Sequence, residues 1–355
     1  MSAMIIDEKS AADILLRLIK VYTPSGEERR LHGILKEIAR RLGYDEAYGD
    51  EVGNFIMSYG EGAPILLASH IDTVPGELEA GIREGRVYGR GAVDAKGPLT
   101  AMILGAAMAQ PHVRNLRVFV AGLAREETDG RGARYLIEKG FRAEHILIGE
   151  PTGLRIAVAY RGSVTAEVYA EARGGHSSAP YVGESALDKI LGLLGKVKEK
   201  YGGASYDEPT SAITVLKAGE WPGSLPDKAY AVINIRFPTG YKAETILETI
   251  RSLSEEFGVR LRIIDATEPV EVGLNTPIVR ALMRGMLSLG MKPHLVKKTG
   301  TSDMNTLHEV TGSIAAFGPG DSKLAHTMRE ALSIDDLLAA SQVISEMLKE
   351  LSRKL

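Results

Sequence analysis

Ile65-Leu66-Leu67-Ala68-Ser69-His70-Ile71-Asp72 is the stretch on which the fold turns. Residues 65–69 form a short apolar run, the pattern of a strand buried on both faces, and the run ends on an imidazole and a carboxylate. The pattern recurs. Residues 116–123 are followed by Glu126-Glu127, and residues 146–148 by Glu150; residues 313–317 form another strand, with His326 a loop further on. Residues 97–109 and 130–139 between them read as helices. This alternation predicts an α/β domain with a mostly parallel sheet flanked by helices.

Helical periodicity is also present over residues 8–20 and 27–42. Met1 to Lys20 reads as an amphipathic helix, and Ser25 with Glu28 three residues later has capping-box spacing for the second helix. From residue 163 the pattern changes to strand, helix, strand, strand, helix, strand (164–170, 184–200, 212–217, 229–237, 243–257 and 260–264). That order predicts an inserted α+β, ferredoxin-like module. Helical and strand patterns of the first style resume with a helix at 275–289 and a closing helix at 334–351. The expected organisation is a catalytic domain of residues 1–162 and 267–355 around a dimerisation or lid domain of 163–266.

The chain has 355 residues, enough for two domains, and a formal net charge of −3, which gives no general attraction to nucleic acid. It has no cysteine, so any metal must be held by His, Asp and Glu. Neither a signal peptide nor an apolar run of about 18 residues stands out, so no membrane span and a cytoplasmic location are expected.

His and carboxylates after successive strands mark the sheet rim where α/β proteins bind ligands. Asp94 joins them in Gly89-Arg90-Gly91-Ala92-Val93-Asp94-Ala95-Lys96-Gly97, ahead of a helix. Each residue alone is ordinary. Four carboxylates and two imidazoles converging on one rim would need compensating positive charge, which a pair of divalent ions supplies.

In this order the residues resemble the M20 metallopeptidase family: His70-x-Asp72, the Asp94 segment, Glu126-Glu127, Gly149-Glu150-Pro151-Thr152 and His326. The resemblance implies an amidohydrolase with two metal ions, zinc first by ligand type, with cobalt or manganese suiting similar sites. Asp94 would bridge the ions, His70 and Glu150 would complete one site, and Glu127 and His326 the other. Asp72 would orient His70, and Glu126 would be the general base. A cis peptide is implied at Asp94–Ala95.

Gly174-Gly175-His176-Ser177-Ser178-Ala179-Pro180 resembles the family motif around a histidine that crosses a homodimer interface to hold the oxyanion. Arg236 matches an arginine that binds the substrate carboxylate, and Gly300-Thr301-Ser302-Asp303 a substrate-facing loop. Gly223 stands where several relatives carry Asn, so a hydrogen bond there is absent or comes from Ser224. Ala159-Tyr160-Arg161-Gly162-Ser163, the stretch from Arg173 to Pro180, and Gly300–Asn305 followed by Gly318-Pro319-Gly320-Asp321-Ser322 resemble the branch that releases lysine or ornithine from an acidic amino-group carrier protein. A basic rim of Lys292, Lys297, Lys298, Arg161 and Arg173 would suit such a partner. The alternatives are a deacylase of a free small substrate such as N-acetylornithine or N-succinyl-diaminopimelate, a dipeptidase or carboxypeptidase, and a non-catalytic metal-stabilised dimer that binds amino acids.

Overall fold

The structure, a computed structural model, describes residues 6–353. The first five residues of the amphipathic segment expected over 1–20, and the last two of the chain, lie outside that range. In chain order the helices are α1 (Glu8–Ile19), α2 (His32–Arg41), α3 (Lys96–Ala109), α4 (Arg131–Glu138), α5 (Ala186–Lys200), α6 (Ala243–Glu256), α7 (Pro277–Ser288), α8 (Asp303–Leu307) and α9 (Ile334–Ser352). The main strands are β1 (Glu46–Gly49), β2 (Phe55–Tyr59), β3 (Ala63–His70), β4 (Leu116–Leu123), β5 (His145–Ile148), β6 (Ile156–Tyr160), β7 (Gly162–Glu171), β8 (Thr210–Ala218), β9 (Lys228–Phe237), β10 (Arg260–Thr267) and β11 (Ile314–Ala316).

The chain forms two compact units. One comprises the residues up to Ala159, Val272–Lys297 and Ser302 onward. Its sheet runs β1-β2-β4-β3-β5-β11-β6. The central strands β4, β3, β5 and β11 are parallel, and the flanking pairs are antiparallel, so the sheet is mixed. Parallel strands all end on the same side, so the residues after β3, β4, β5 and β11 share one rim. Helix α3 is buried from Lys96 through Ala106, as its apolar composition requires. It packs on α9 at Gly105, where an added Cβ would stand 2.6 Å from the Ser341 carbonyl oxygen. Among the described residues no helix is long and apolar enough to cross a membrane.

Ser25 does not cap a helix. A short 3-10 turn, Glu28–Leu31, intervenes before α2, and neither segment has a side-chain cap. The Ser25 hydroxyl donates instead to Asp72 Oδ2 at 2.6 Å. Glu28, expected to complete the box, accepts from the Gly26 and Arg125 amides.

The second unit comprises Tyr160–Glu271 and Lys298–Thr301. Its antiparallel sheet runs β8-β9-β7-β10, the ferredoxin-like order, with α5 and α6 packed against it. Val164, Val168, Ile233 and Ile235 meet Ile190, Leu193, Ile246 and Ile250 in its core. Strand β7, whose alternation predicts a half-exposed strand, is mostly buried because it lies inside the sheet. Glu167 stays buried there by accepting both the Tyr169 and Tyr230 hydroxyls at 3.0 Å and pairing with Arg262.

Candidate metal centre and active site

His70 is the last residue of β3 and is fully buried. Its Nδ1 is 3.0 Å from the Asp72 carbonyl oxygen and 3.4 Å from Asp72 Oδ1. The main-chain oxygen, more than the expected carboxylate, therefore orients the ring and directs Nε2 outward. The Asp72 carboxylate has other donors: Ser25, the Glu126 amide at 3.2 Å and the Glu127 amide at 3.2 Å. Those two amides lie in the turn after β4, which opens at Arg125 with φ +62°.

Asp94 lies in the turn before α3, and its bond to Ala95 is cis. Its Oδ1 is 3.2 Å from His70 Nε2 and its Oδ2 is 3.2 Å from His326 Nε2. The same His326 nitrogen is 3.1 Å from Glu127 Oε1. Ligand atoms of His70, Asp94 and Glu127 all lie within 4.8 Å of one another. Around a tetrahedral ion with bonds of about 2 Å, adjacent ligand atoms stand about 3.3 Å apart. The imidazole–carboxylate spacings are thus those of ligands that share an ion, and Asp94 turns one oxygen to each imidazole. This set of imidazoles and carboxylates is one that would hold divalent ions. Glu150 follows β5 on the same rim, close enough for its charge to raise the Glu126 pKa.

The electrostatics follow from burial and crowding. Burial pushes Glu126 well above the usual carboxylate range; His70 opposes the shift, while Glu150, Asp303 and Glu127 add to it. Asp303, at the start of α8, is pushed up to about 7, again by burial. Burial disfavours the Asp94 anion, yet His326 and His70 outweigh it and hold the carboxyl low. Asp94 and Glu127 raise His326 to about 10. Imidazoles so attached to carboxylates hold positive charge where metal ions would otherwise supply it.

The expected residues His176, Arg236, Gly300 and Thr301 lie in the second unit. His176 is exposed, and its Nδ1 accepts the Ser178 amide at 3.1 Å, so its ring proton belongs on Nε2. Arg236 is partly buried, with Nε donating to Asn234 at 3.0 Å and an Nη atom to the Thr301 hydroxyl at 3.3 Å. Arg236 and Thr301, 65 residues apart, are therefore direct neighbours. Gly300 is next to them in sequence. Arg161 is not on a basic rim: it is buried, donating to the Glu208 and Arg236 carbonyls. Lys292, Lys297 and Arg173 are exposed. Sequence reading missed Glu330 and took Ser25 and Glu28 for a helix cap, whereas Ser25 donates to the Asp72 side chain and Glu28 and Glu330 accept main-chain amides. Asp303 was visible only as the last residue of the Gly300 motif.

The profile of peptidase family M20/M25/M40 matches residues 66–350. A protein of Saccharolobus islandicus named LysW-lysine/LysW-ornithine hydrolase is 37% identical over 349 residues, covering 98% of this chain and 97% of its own. Among solved structures, a tripeptidase from Staphylococcus aureus superposes with a TM-score of 0.84 at 19% identity, covering 99% of this chain and 100% of its own. A dinuclear metal-binding M20 peptidase from Bacillus subtilis superposes at 0.75 with 14% identity, covering 98% of this chain and 99% of its own.

Proposed function

Because this chain belongs to peptidase family M20/M25/M40, we propose that it hydrolyses the amide bond joining lysine or ornithine to the C-terminal glutamate of an acidic amino-group carrier protein. The observation that carries the chemistry is Asp94, with one oxygen turned to His70 and the other to His326. The likeness to a LysW-lysine/LysW-ornithine hydrolase over nearly the whole chain supports the substrate.

In this reading His70, Asp94 and Glu150 hold one divalent ion and Asp94, Glu127 and His326 the other, with zinc the metal best matched to the ligands. When bound, the ions polarise the scissile carbonyl and acidify a water molecule. Glu126 takes the proton of the attacking water and delivers it to the departing amine. Its burial makes the carboxylate basic, which suits that task. Asp72 fixes Glu126 and Glu127 through their amides. His176 offers an Nε2–H to the oxyanion of a partner copy's substrate in a homodimer. Arg236 takes a substrate carboxylate with its planar fork, steadied by Asn234 and Thr301, and Gly300 and Thr301 present main-chain amides to the same ligand.

The test sets carrier-linked lysine and ornithine beside N-acetylornithine and N-succinyl-diaminopimelate, using metal-loaded protein. Turnover of only the carrier-linked substrates is expected, with Glu126→Gln lowering it by about 10²-fold or more while retaining metal. Rapid hydrolysis of a free small substrate alone would overturn the carrier assignment, and full activity after exhaustive chelation would overturn the metal mechanism.

A further inference from the structure

Glu330 is a buried carboxylate that the reaction does not use; it is 2% exposed. A buried anion with a single cationic partner is costly unless its oxygens are well supplied with donors. Here Oε1 accepts the Val93 amide at 3.0 Å and the Asp94 amide at 3.1 Å. Oε2 accepts from Arg90 at 2.9 Å. Arg90 is buried too; its Nε donates to the Gly76 carbonyl at 2.8 Å and its Nη1 also to the Thr327 carbonyl at 3.3 Å.

Two loops meet in this arrangement. The Glu330 carboxylate holds the main chain of Asp94, and Arg90 holds the carbonyl of the residue after His326. His326 itself has φ +61°, a left-handed conformation that a non-glycine residue keeps only when its surroundings impose it. The segment is anchored on the other side, since Ala331–Ser333 pairs with Arg86–Tyr88. One buried ion pair thus ties the backbone of the bridging carboxylate to that of the outer imidazole, although neither Glu330 nor Arg90 is a ligand.

We propose that Glu330 and Arg90 are a positioning pair that sets the separation of Asp94 and His326 and so tunes the affinity of the two-ion site. The inference rests on the metal-centre reading above and adds residues to it. A glutamine at 330 offers the two amides one oxygen but turns an NH2 toward Arg90, so the ion pair that joins the two loops is lost. Lysine at 90 keeps the charge but cannot reach the Gly76, Thr327 and Glu330 acceptors together.

The experiment titrates chelated wild type, Glu330→Gln and Arg90→Lys with Co2+, followed by calorimetry and visible absorption. Glu330→Gln is expected to weaken Co2+ binding by about 10–100-fold and to shift the absorption bands, with Arg90→Lys about tenfold weaker. The far-UV circular dichroism of both chelated variants should match wild type. A folded Glu330→Gln protein with wild-type affinity and spectrum would overturn the pair alone. If that variant does not fold, Arg90→Lys decides by the same readout; failure of both to fold makes the pair a folding element and overturns the proposal. Wild-type protein that takes up no Co2+ would overturn the metal-centre reading along with it.

Discussion

At the scale of single residues, one carboxylate that need not touch substrate gathers donors from two distant loops. Asp72 receives donors from Ser25 and from the amides of Glu126 and Glu127, so the proposed general base and a proposed metal ligand share one anchor. Ser25 supplies the shortest of these bonds. Its loop is fixed independently by Glu28, which accepts the Gly26 amide, and by Thr23, which donates to the Ile71 carbonyl. Ser25→Ala should therefore fold normally and leave Asp72 free to shift. The expected result is a fall of about tenfold in kcat/KM, the scale seen when groups behind metal ligands are removed. A Ser25→Ala enzyme with unchanged kinetics would show that the amides alone fix Asp72. The same hydroxyl shows how a local motif misleads. Ser-x-x-Glu spacing is a cap signature, but here the serine side chain meets a residue 47 positions away, and no local pattern encodes that meeting.

At the scale of elements, α3 and α9 meet where Gly105 faces the Ser341 carbonyl and Ile344, with Cβ-equivalent distances of 2.6 Å and 2.8 Å. A side chain at 105 must push backbone, not a flexible tip. Gly105→Val should destabilise the protein by about 1–3 kcal/mol or more, read as a lowered denaturant midpoint. A midpoint equal to wild type would mean that the helices can separate without cost. These elements were largely legible in advance. The apolar run before His70 became β3, residues 116–123 became β4 with the same ends, and the apolar stretch after Asp94 became the buried α3. Pairing direction was less legible. Strand β2 is buried throughout and antiparallel to β4, but a short apolar run has the same look whichever way its neighbour runs. The grouping of His70, Asp94, Glu127 and His326 was legible, because a chain without cysteine leaves His and carboxylates as the candidates for holding a metal. The contacts around it were not, because Glu330 and Arg90 act largely through main-chain groups that any residue carries, and Ser25 meets a side chain far away in the sequence.

At the scale of the whole molecule, the centre makes stability depend on pH with a sign that metal should change. His326, raised to about 10, lends the chelated fold stability that is complete below about pH 6.5 and lost as pH rises through 10. Asp94, held low, contributes stability above about pH 4 that is lost as pH falls. Glu126 and Asp303 are carboxyls that burial keeps neutral, Asp303 up to about 7. Both withdraw stability as pH climbs above about 4, Asp303 up to about 7, because the unfolded chain ionises first. Bound dications favour those same carboxylates as anions and the imidazoles as neutral ligands, so binding must release protons. Each proton displaced strengthens apparent affinity about tenfold per pH unit. The gain in Tm on adding Zn2+ to chelated protein should thus be larger at pH 7.5 than at pH 5.5, by roughly 3–5 °C at equal free metal. His145, whose pKa burial lowers, pulls the chelated baseline the other way, but it is remote from the ligands and cancels in the difference between bound and chelated protein. Calorimetry in buffers of different ionisation enthalpy should count about one or more protons released per chain near pH 6.5. A Tm gain that is flat with pH, or greater at pH 5.5, would mean that His70, His326, Glu126 and Asp303 do not surround the bound ions.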